Sequence, residues 1–437
     1  MSLEQRIQEW LLSKGRACLT VVDLLDGLNV ELNNSGMSVF RVNFFLQAFH
    51  SERKSSFYVW RNYCEGPIDA PNTPTVISPR VVKCGDNEVS VFDIGHGHLS
   101  EEVFRKSPFQ LLLAGWSEVR CRLEGTGADK SFPILDDLKS MGATDYIAVS
   151  LGMVHGKDGL ISFSTKSVGG FSETDIESFR SIRSIVSYAF EIHAIKMEME
   201  NVLATYLGPK SAEAILGGQL RRGDIHPLEA VIGFVDIRGF TKSGGLVGNS
   251  GLVRRANHFY QCLYDAITPE KGEISKFIGD GALFLFPVDG DSTEACARAL
   301  SSMRRLKVLV DELNQSEALE HALDFGVALH VGTVEQGNIG AMARLDYTVI
   351  GSAVNMASRF EGLAKRLKRR MVVTQAVAEK MPLQFEHLGD YAVRGVTDEQ
   401  SVFGLIGDPQ SREHIVEEVS NDWKGKERRT GRERRTK

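Results

Sequence analysis

The spacing of apolar positions changes several times along the chain, and each change marks a different kind of segment. Helical spacing predicts helices over residues 4–13 and 21–34, and short apolar or alternating runs predict strands near 56–60, 90–92, 146–152 and 160–165. Ser172 stands three residues before Asp175, an N-cap arrangement that opens a long helix. Within it Ile185, Ile192, Met199 and Tyr206 recur every seven residues, with Tyr188, Ile195 and Val202 in the companion positions. That spacing predicts a two-stranded coiled-coil seam; a single amphipathic helix packed on its own domain has the same pattern. Gly208-Pro209 breaks the helix, and Pro209 suits the first turn of a short one ending at Gly217-Gly218.

Beyond residue 224 the pattern alternates between strands and helices. It predicts a strand at 230–236, a helix at 252–267, a hairpin at 274–286 and a helix at 292–313. A strand at 324–330 precedes Gly337-Asn338-Ile339-Gly340, a helix follows at 354–367, and strands at 370–374 and 402–406 close the region. Such an order predicts an α+β domain, a sheet covered by helices.

Composition narrows the class. At 437 residues the chain can hold two or three domains, and 42% hydrophobic with 25% charged residues describes an ordinary globular protein. A net charge of -6 gives no nucleic-acid footprint. The cysteines Cys18, Cys64, Cys84, Cys121, Cys262 and Cys296 form no CxxC pair, which favours reduced thiols over a disulfide framework or zinc site. The opening Met1–Arg6 has no signal-peptide pattern, and no apolar run approaches the roughly 18 residues of a membrane span. The expectation is a soluble, cytoplasmic protein. The Arg- and Lys-dense segment 424–437 reads as a solvated disordered tail or a contact for an acidic surface or membrane headgroups.

Two aspartates carry the chemistry. Asp236 ends an apolar strand before Ile237-Arg238-Gly239-Phe240-Thr241, and Asp280 sits in the turn Gly279-Asp280-Gly281 of the hairpin. Carboxylates at adjacent strand ends, beside a Gly-rich turn, suit paired divalent cations against a nucleoside triphosphate. Together with the segment from Asp346 to Arg359, DYTVIGSAVNMASR, these motifs resemble the class III nucleotidyl cyclases, the adenylate and guanylate cyclases. The resemblance covers roughly residues 225–408.

The resemblance implies a catalytic domain with a ferredoxin-like palm and an antiparallel-rich sheet, of the bacterial adenylate cyclase type. It implies that Asp236, Asp280 and the Ile237 carbonyl hold two divalent metal ions, Mg²⁺ or Mn²⁺. Backbone N–H groups of Gly239, Phe240 and Thr241 would cradle the triphosphate. Lys276 would donate to adenine N1 and Thr348 would accept from its amino group, which favours ATP over GTP. Asn355 and Arg359, four apart on one helix face, would orient the ribose and stabilise the transition state, and Arg394 would bind the terminal phosphates. Bacterial relatives frequently carry an arginine shortly before the motif equivalent to His330-Val331-Gly332. This chain has Leu323-Asp324-Phe325-Gly326 there, so that contact is absent or supplied elsewhere, for example by Arg238.

The family's site lies between two catalytic domains, so one such domain per chain implies a homodimer with two shared active sites. The implied organisation is a regulatory domain at 1–178, weakly GAF-like and of α/β type, then a signalling helix and short transducer helix at 179–223. The catalytic domain follows at 224–408 and a basic tail at 409–437. His96 and His98 form a local pair that reads as polar surface, and the signal received by the first domain is not legible. Activity on GTP or a pyrimidine triphosphate is the nearest alternative, and a non-catalytic nucleotide-binding or dimerising module is the other.

Overall fold

The computed structural model describes residues 3–47, 53–62, 76–95, 102–125, 131–153, 159–316, 318–319 and 321–408. Cys64, His96, His98, the turn at 155–158 and the tail at 409–437 lie outside the described residues. The chain divides into two compact units, Met1–Tyr206 and the remainder from Leu207.

The first unit contains α1 (Leu3–Leu12), α2 (Val21–Asn34), β1 (Val39–Gln47), β2 (Arg53–Asn62), β3 (Val76–Cys84) and β4 (Asn87–Gly95). Then come α3 (Glu102–Arg105), α4 (Pro108–Leu113), β5 (Glu118–Arg122), α5 (Pro133–Ser140), β6 (Asp145–Ser150), β7 (Gly159–Thr165) and α6 (Glu173–Leu207). Seven strands form one sheet in the order β3-β4-β2-β1-β7-β6-β5. Every pair is antiparallel, which the mixture of predicted helices and strands did not indicate. Both sheet faces are covered. Leu24, Leu28, Phe44, Trp60, Phe163, Phe179 and Phe190 form one core, and Phe45, Phe109, Leu138 and Tyr146 belong to the other. A strand buried on both faces loses period-2 alternation, and β1 (VFRVNFFLQ) escaped the sequence reading for that reason.

α6 starts as predicted. Ser172 Oγ accepts from the Asp175 N–H at 3.1 Å, and the Asp175 carboxylate accepts from the Ser172 N–H at 2.8 Å. Arg120 of β5 ties this start to the sheet, donating to Asp145, Glu173 and the Phe171 carbonyl. The first half of α6 buries Ile176, Phe179, Ile182, Val186 and Phe190, and Ile185 packs against the same core. The remaining seam positions lie open, Ile192 at 68% and Tyr206 at 83% exposure, with Tyr188, Ile195, Met199 and Val202 also exposed.

The second unit begins with α7 (Pro209–Leu216), after the left-handed Gly208. It continues with β8 (Ile225–Ile237), α8 (Phe240–Ile267), β9 (Glu273–Ile278), β10 (Gly281–Pro287), α9 (Ser292–Gln315), β11 (Phe325–Ala341) and β12 (Arg344–Ile350). It closes with α10 (Ser352–Arg366), β13 (Met371–Thr374), α11 (Gln375–Ala378), β14 (Phe385–Tyr391) and β15 (Gln400–Leu405). The sheet order is β14-β15-β13-β11-β8-β10-β9, with β12 paired to β11. β11 and β13 run parallel, and the other pairs are antiparallel. Phe259, Leu263, Phe284, Phe286 and Met303 join α8 and α9 to one face, while Ile232, Leu283, Ala353 and Ala357 seat α10 on the other.

β11 is a single strand of 17 residues, so Gly337-Asn338-Ile339-Gly340 is strand, and β12 beside it was unpredicted. Asn338 fastens the segment after α7: its amide donates to the Gln219 carbonyl, its N–H to the Asp224 carbonyl, and its carbonyl accepts from Gly223. Among the described residues no helix is long and apolar enough to cross a membrane.

His330, in β11, sits 3.0 Å from the Thr374 hydroxyl of β13. Burial pushes its imidazole down to about 4. An unfolded histidine titrates near 6.5, so between about pH 6.5 and 4 the unfolded chain takes up a proton that the folded chain refuses. His330 therefore contributes stability above pH 6.5 that is lost as pH falls to 4. Denaturant melts at pH 7 and pH 5 should show a smaller acid-induced loss in His330→Gln than in the native protein. An equal loss in both assigns the acid sensitivity elsewhere.

Candidate active site

The hairpin brings the two aspartates to one end of the sheet. Asp236, next to last in β8, pairs across strands with Gly281, the residue after Asp280. The Ile237 N–H donates to the Asp280 carbonyl at 3.3 Å. Burial, then the charges of Asp280 and Glu361, push the Asp236 carboxyl up to about 6. Its nearest positive charges, Arg238 and Lys365, do not cancel that push. A local excess of negative charge built from hard oxygen donors fits divalent cations such as Mg²⁺ or Mn²⁺. Among the described residues no cluster of three or more His, Cys, Asp or Glu side chains completes a cage. A cation held there would need further ligands from outside these side chains, such as main-chain carbonyls.

Immediately after this strand the chain turns at Gly239, whose φ of +67° is left-handed and suits glycine. α8 starts at Phe240, so the N–H groups of Phe240 and Thr241 belong to the free first turn of a helical segment that runs to a kink at Gly248, where the backbone is non-helical (φ +69°), before α8 resumes. Arg238 does not join them. Its side chain is 4% exposed, folds across β11 and pairs with Glu361 of α10 at 2.8 Å. The bare face of Gly326 makes this possible: a Cβ there would lie 1.6 Å from Arg238 Nη2. The expectation that Arg238 replaces the missing arginine as a triphosphate contact is therefore corrected. Its guanidinium is committed beneath Asp236, with Nε and Nη2 buried and unpartnered.

Lys276 stands on β9, the edge strand, and its ammonium meets the Asp346 carboxylate of β12 at 2.5 Å. Asp346 is a residue that sequence reasoning passed over. Two positions along β12, Thr348 is 9% exposed and its hydroxyl has no hydrogen-bond partner. A buried hydroxyl costs free energy until something occupies it. The structure thus brings the Lys276 cation of β9 to the Asp346 carboxylate of β12, with the open Thr348 hydroxyl two positions further along β12.

Asn355 and Arg359 lie one turn apart on α10, Asn355 exposed and Arg359 half-buried. Arg359 reaches the turn that carries Arg394: a Cβ on Gly395 would stand 3.1 Å from Arg359 Nη2. The Val396 N–H closes that turn on the Val393 carbonyl at 3.0 Å and leaves Arg394 exposed. Two guanidinium-bearing residues therefore converge where α10 meets the loop between β14 and β15.

Residues 227–407 match the family model described as the adenylate and guanylate cyclase catalytic domain. An adenylate cyclase of Anabaena cylindrica is 32% identical over 154 residues, 34% of this chain and 30% of that protein. Adenylate cyclase 1 of Rhizobium meliloti is 27% identical over 180 residues, 40% of this chain and 27% of its own length. The chain thus spans less than a third of the length of these curated relatives. Among solved structures, the adenylyl cyclase CyaB from P. aeruginosa aligns at 22% identity with a TM-score of 0.38, over 43% of this chain and 98% of that one. Residues 227–407, which hold the hairpin aspartates and the β12–α10 segment, are thus a match to the adenylate and guanylate cyclase catalytic-domain family.

Proposed function

We propose that the chain is an adenylate cyclase that converts ATP to 3′,5′-cyclic AMP and pyrophosphate. The observation that supports the choice of base is Lys276, held by Asp346 of β12, with the unpartnered, buried Thr348 hydroxyl two positions along the same strand. Lys276 donates to adenine N1, and Thr348 accepts from the 6-amino group, which satisfies the open hydroxyl. Guanine carries a proton on N1, so the Lys276 contact fails, whereas the Thr348 hydroxyl can rotate to donate to the oxygen at C6; the discrimination therefore rests mainly on Lys276. The N–H groups of Phe240 and Thr241, after the turn at Gly239, hold the triphosphate, and Arg394 binds its terminal oxygens. Asn355 orients the ribose, and Arg359 meets the charge that grows on the α-phosphate. Two divalent cations held by Asp236, Asp280 and the Ile237 carbonyl would supply acidification of the 3′-hydroxyl and charge neutralisation of the phosphates.

The proposed working form is a homodimer in which each site draws residues from both copies. Phe277, Ile278, Leu345 and Ile350 support this, being large apolar side chains left exposed around Lys276 and Asp346. Residues 1–178 act as the regulatory domain and the open face of α6 as the pairing seam.

Purified protein with Mn²⁺ or Mg²⁺ should release pyrophosphate and cyclic AMP from ATP in preference to the other three ribonucleoside triphosphates. No cyclic product from any of the four rejects the reading. Lys276→Ala should lose at least about tenfold in kcat/KM for ATP and most of the preference over GTP, the cost of one base-edge hydrogen bond from a charged donor. An unchanged ATP:GTP ratio removes Lys276 from base recognition.

A further inference from the structure

Asp280 is only as useful as the turn that presents it, and one residue outside the motifs holds that turn. Tyr260 projects from α8, and its hydroxyl donates to the Gly279 carbonyl at 2.7 Å. Its ring packs on Phe277 of β9, with centroids 4.2 Å apart and planes 36° apart. The adjacent Phe259 is fully buried, as is Leu263 one turn on, so the stretch of α8 bearing Tyr260 is fixed in the core. The next carbonyl, that of Asp280, is held from the opposite side by the Ile237 N–H.

Both peptide planes flanking the Asp280 Cα are thus pinned, one from α8 and one from β8. A planar peptide has no freedom beyond its flanking dihedrals, so the direction of the Asp280 Cα–Cβ bond is set and only its side-chain rotations remain. Gly279 is left-handed, at φ +65°, and its carbonyl would otherwise face solvent at a loose hairpin end. We propose that Tyr260 is a positioning residue for Asp280, locking the turn in the geometry that the paired carboxylates need to hold divalent cations. This rests on the metal-pair reading of Asp236 and Asp280. It adds a residue on a different element, which acts through the main chain and touches no substrate atom.

Tyr260→Phe keeps the ring, its stacking on Phe277 and its packing, and removes only the O–H. Free Mn²⁺ is followed by electron paramagnetic resonance as it is titrated into full-length protein with an ATP analogue lacking the 3′-hydroxyl. Asp280→Ala serves as the background for cation bound by nucleotide alone. The expected result is Mn²⁺ affinity weakened about 10- to 100-fold in Tyr260→Phe at an unchanged melting temperature, the range found when support for a metal ligand is removed. In turnover the same variant should need more Mn²⁺ for half-activation, with kcat at saturating Mn²⁺ within about twofold of native. Native Mn²⁺ affinity in Tyr260→Phe overturns the proposal alone. Weakened affinity with a matching fall in melting temperature also overturns it, as the role is then structural. A native protein that binds no Mn²⁺ above the Asp280→Ala background overturns the metal-pair reading, and this proposal with it.

Discussion

Asp280→Ala should lower cyclic AMP formation by about three orders of magnitude or more, equivalent to about 4 kcal/mol of transition-state stabilisation. The size follows from where Asp280 sits. Its partner Asp236 already carries a carboxyl raised to about 6 by burial and by Asp280's own charge. Removing one carboxylate relieves that repulsion but leaves a single half-buried acid with no second carboxylate to share a cation. The fold should survive, since Asp280 contributes its main-chain carbonyl to the bond with Ile237 and its side chain lies at the partly exposed end of a hairpin. Circular dichroism and melting should therefore match the native protein while pyrophosphate release falls to background. Turnover within about tenfold of native would remove Asp280 from the metal site.

The second large effect is a recovery. Arg359→Ala should be nearly inactive, with kcat reduced far more than KM is raised, because its contact forms chiefly in the transition state. Co-expressed with Asp280→Ala, it should regain about a quarter of native activity. Random pairing makes half of the dimers mixed, and each mixed dimer has one fully native site and one doubly damaged site. The expectation depends on Asp280 and Arg359 serving one site from different copies. If a single chain supplied the whole site, the mixture would stay as inactive as either variant. Tagging the two variants differently and isolating the mixed dimer should raise the recovery to about half.

Much of the second unit was legible because its signals are local. The hairpin β9–β10 announces itself by alternation around Gly-Asp-Gly, and α10 by its 3.6-residue period. The strand β12 was missed because its first half, Arg344-Leu345-Asp346, is exposed and lacks an apolar stripe. β11 was cut short in the reading because Gly332, Gly337 and Gly340 resemble breaks, yet β8 carries the ladder through Gly332 to Gly337 and β12 carries it through Gly340. In the first unit β1 went unseen because both its faces are covered.

The site divides the same way. Asp236, Asp280, Lys276, Thr348, Asn355 and Arg359 are each marked by a contiguous motif. Asp346 opens the DYTVIGSAVNMASR segment, yet its contact with Lys276 is not local, and Glu361 and Tyr260 are marked by nothing local; each acts on a residue 19 or more positions away. Arg238 shows why a motif neighbour can mislead. Its place beside Asp236 suggested a role in the site, while a missing side chain 88 residues further on, at Gly326, lets it fold away. Periodicity in α6 likewise predicted a stripe but not its division, in which Phe190 is buried and Ile192 is open.

The length of β11 has a mechanical consequence. At one end Gly326 lies opposite Asp236, and at the other Asn338 is tied to Gln219, Gly223 and Asp224 just after α7. One strand thus joins the entry to this unit to its acidic pair over roughly 40 Å, at about 3.3 Å per residue. A strand moves along its neighbours only in whole registers, and a one-residue step would turn every core side chain of β11 toward the wrong face. Force applied at Asn338 can tilt or twist this strand as a stiff rod, but it cannot slide it. Any control exerted through this route would act as a change of angle at Asp236, with the sheet as the fulcrum.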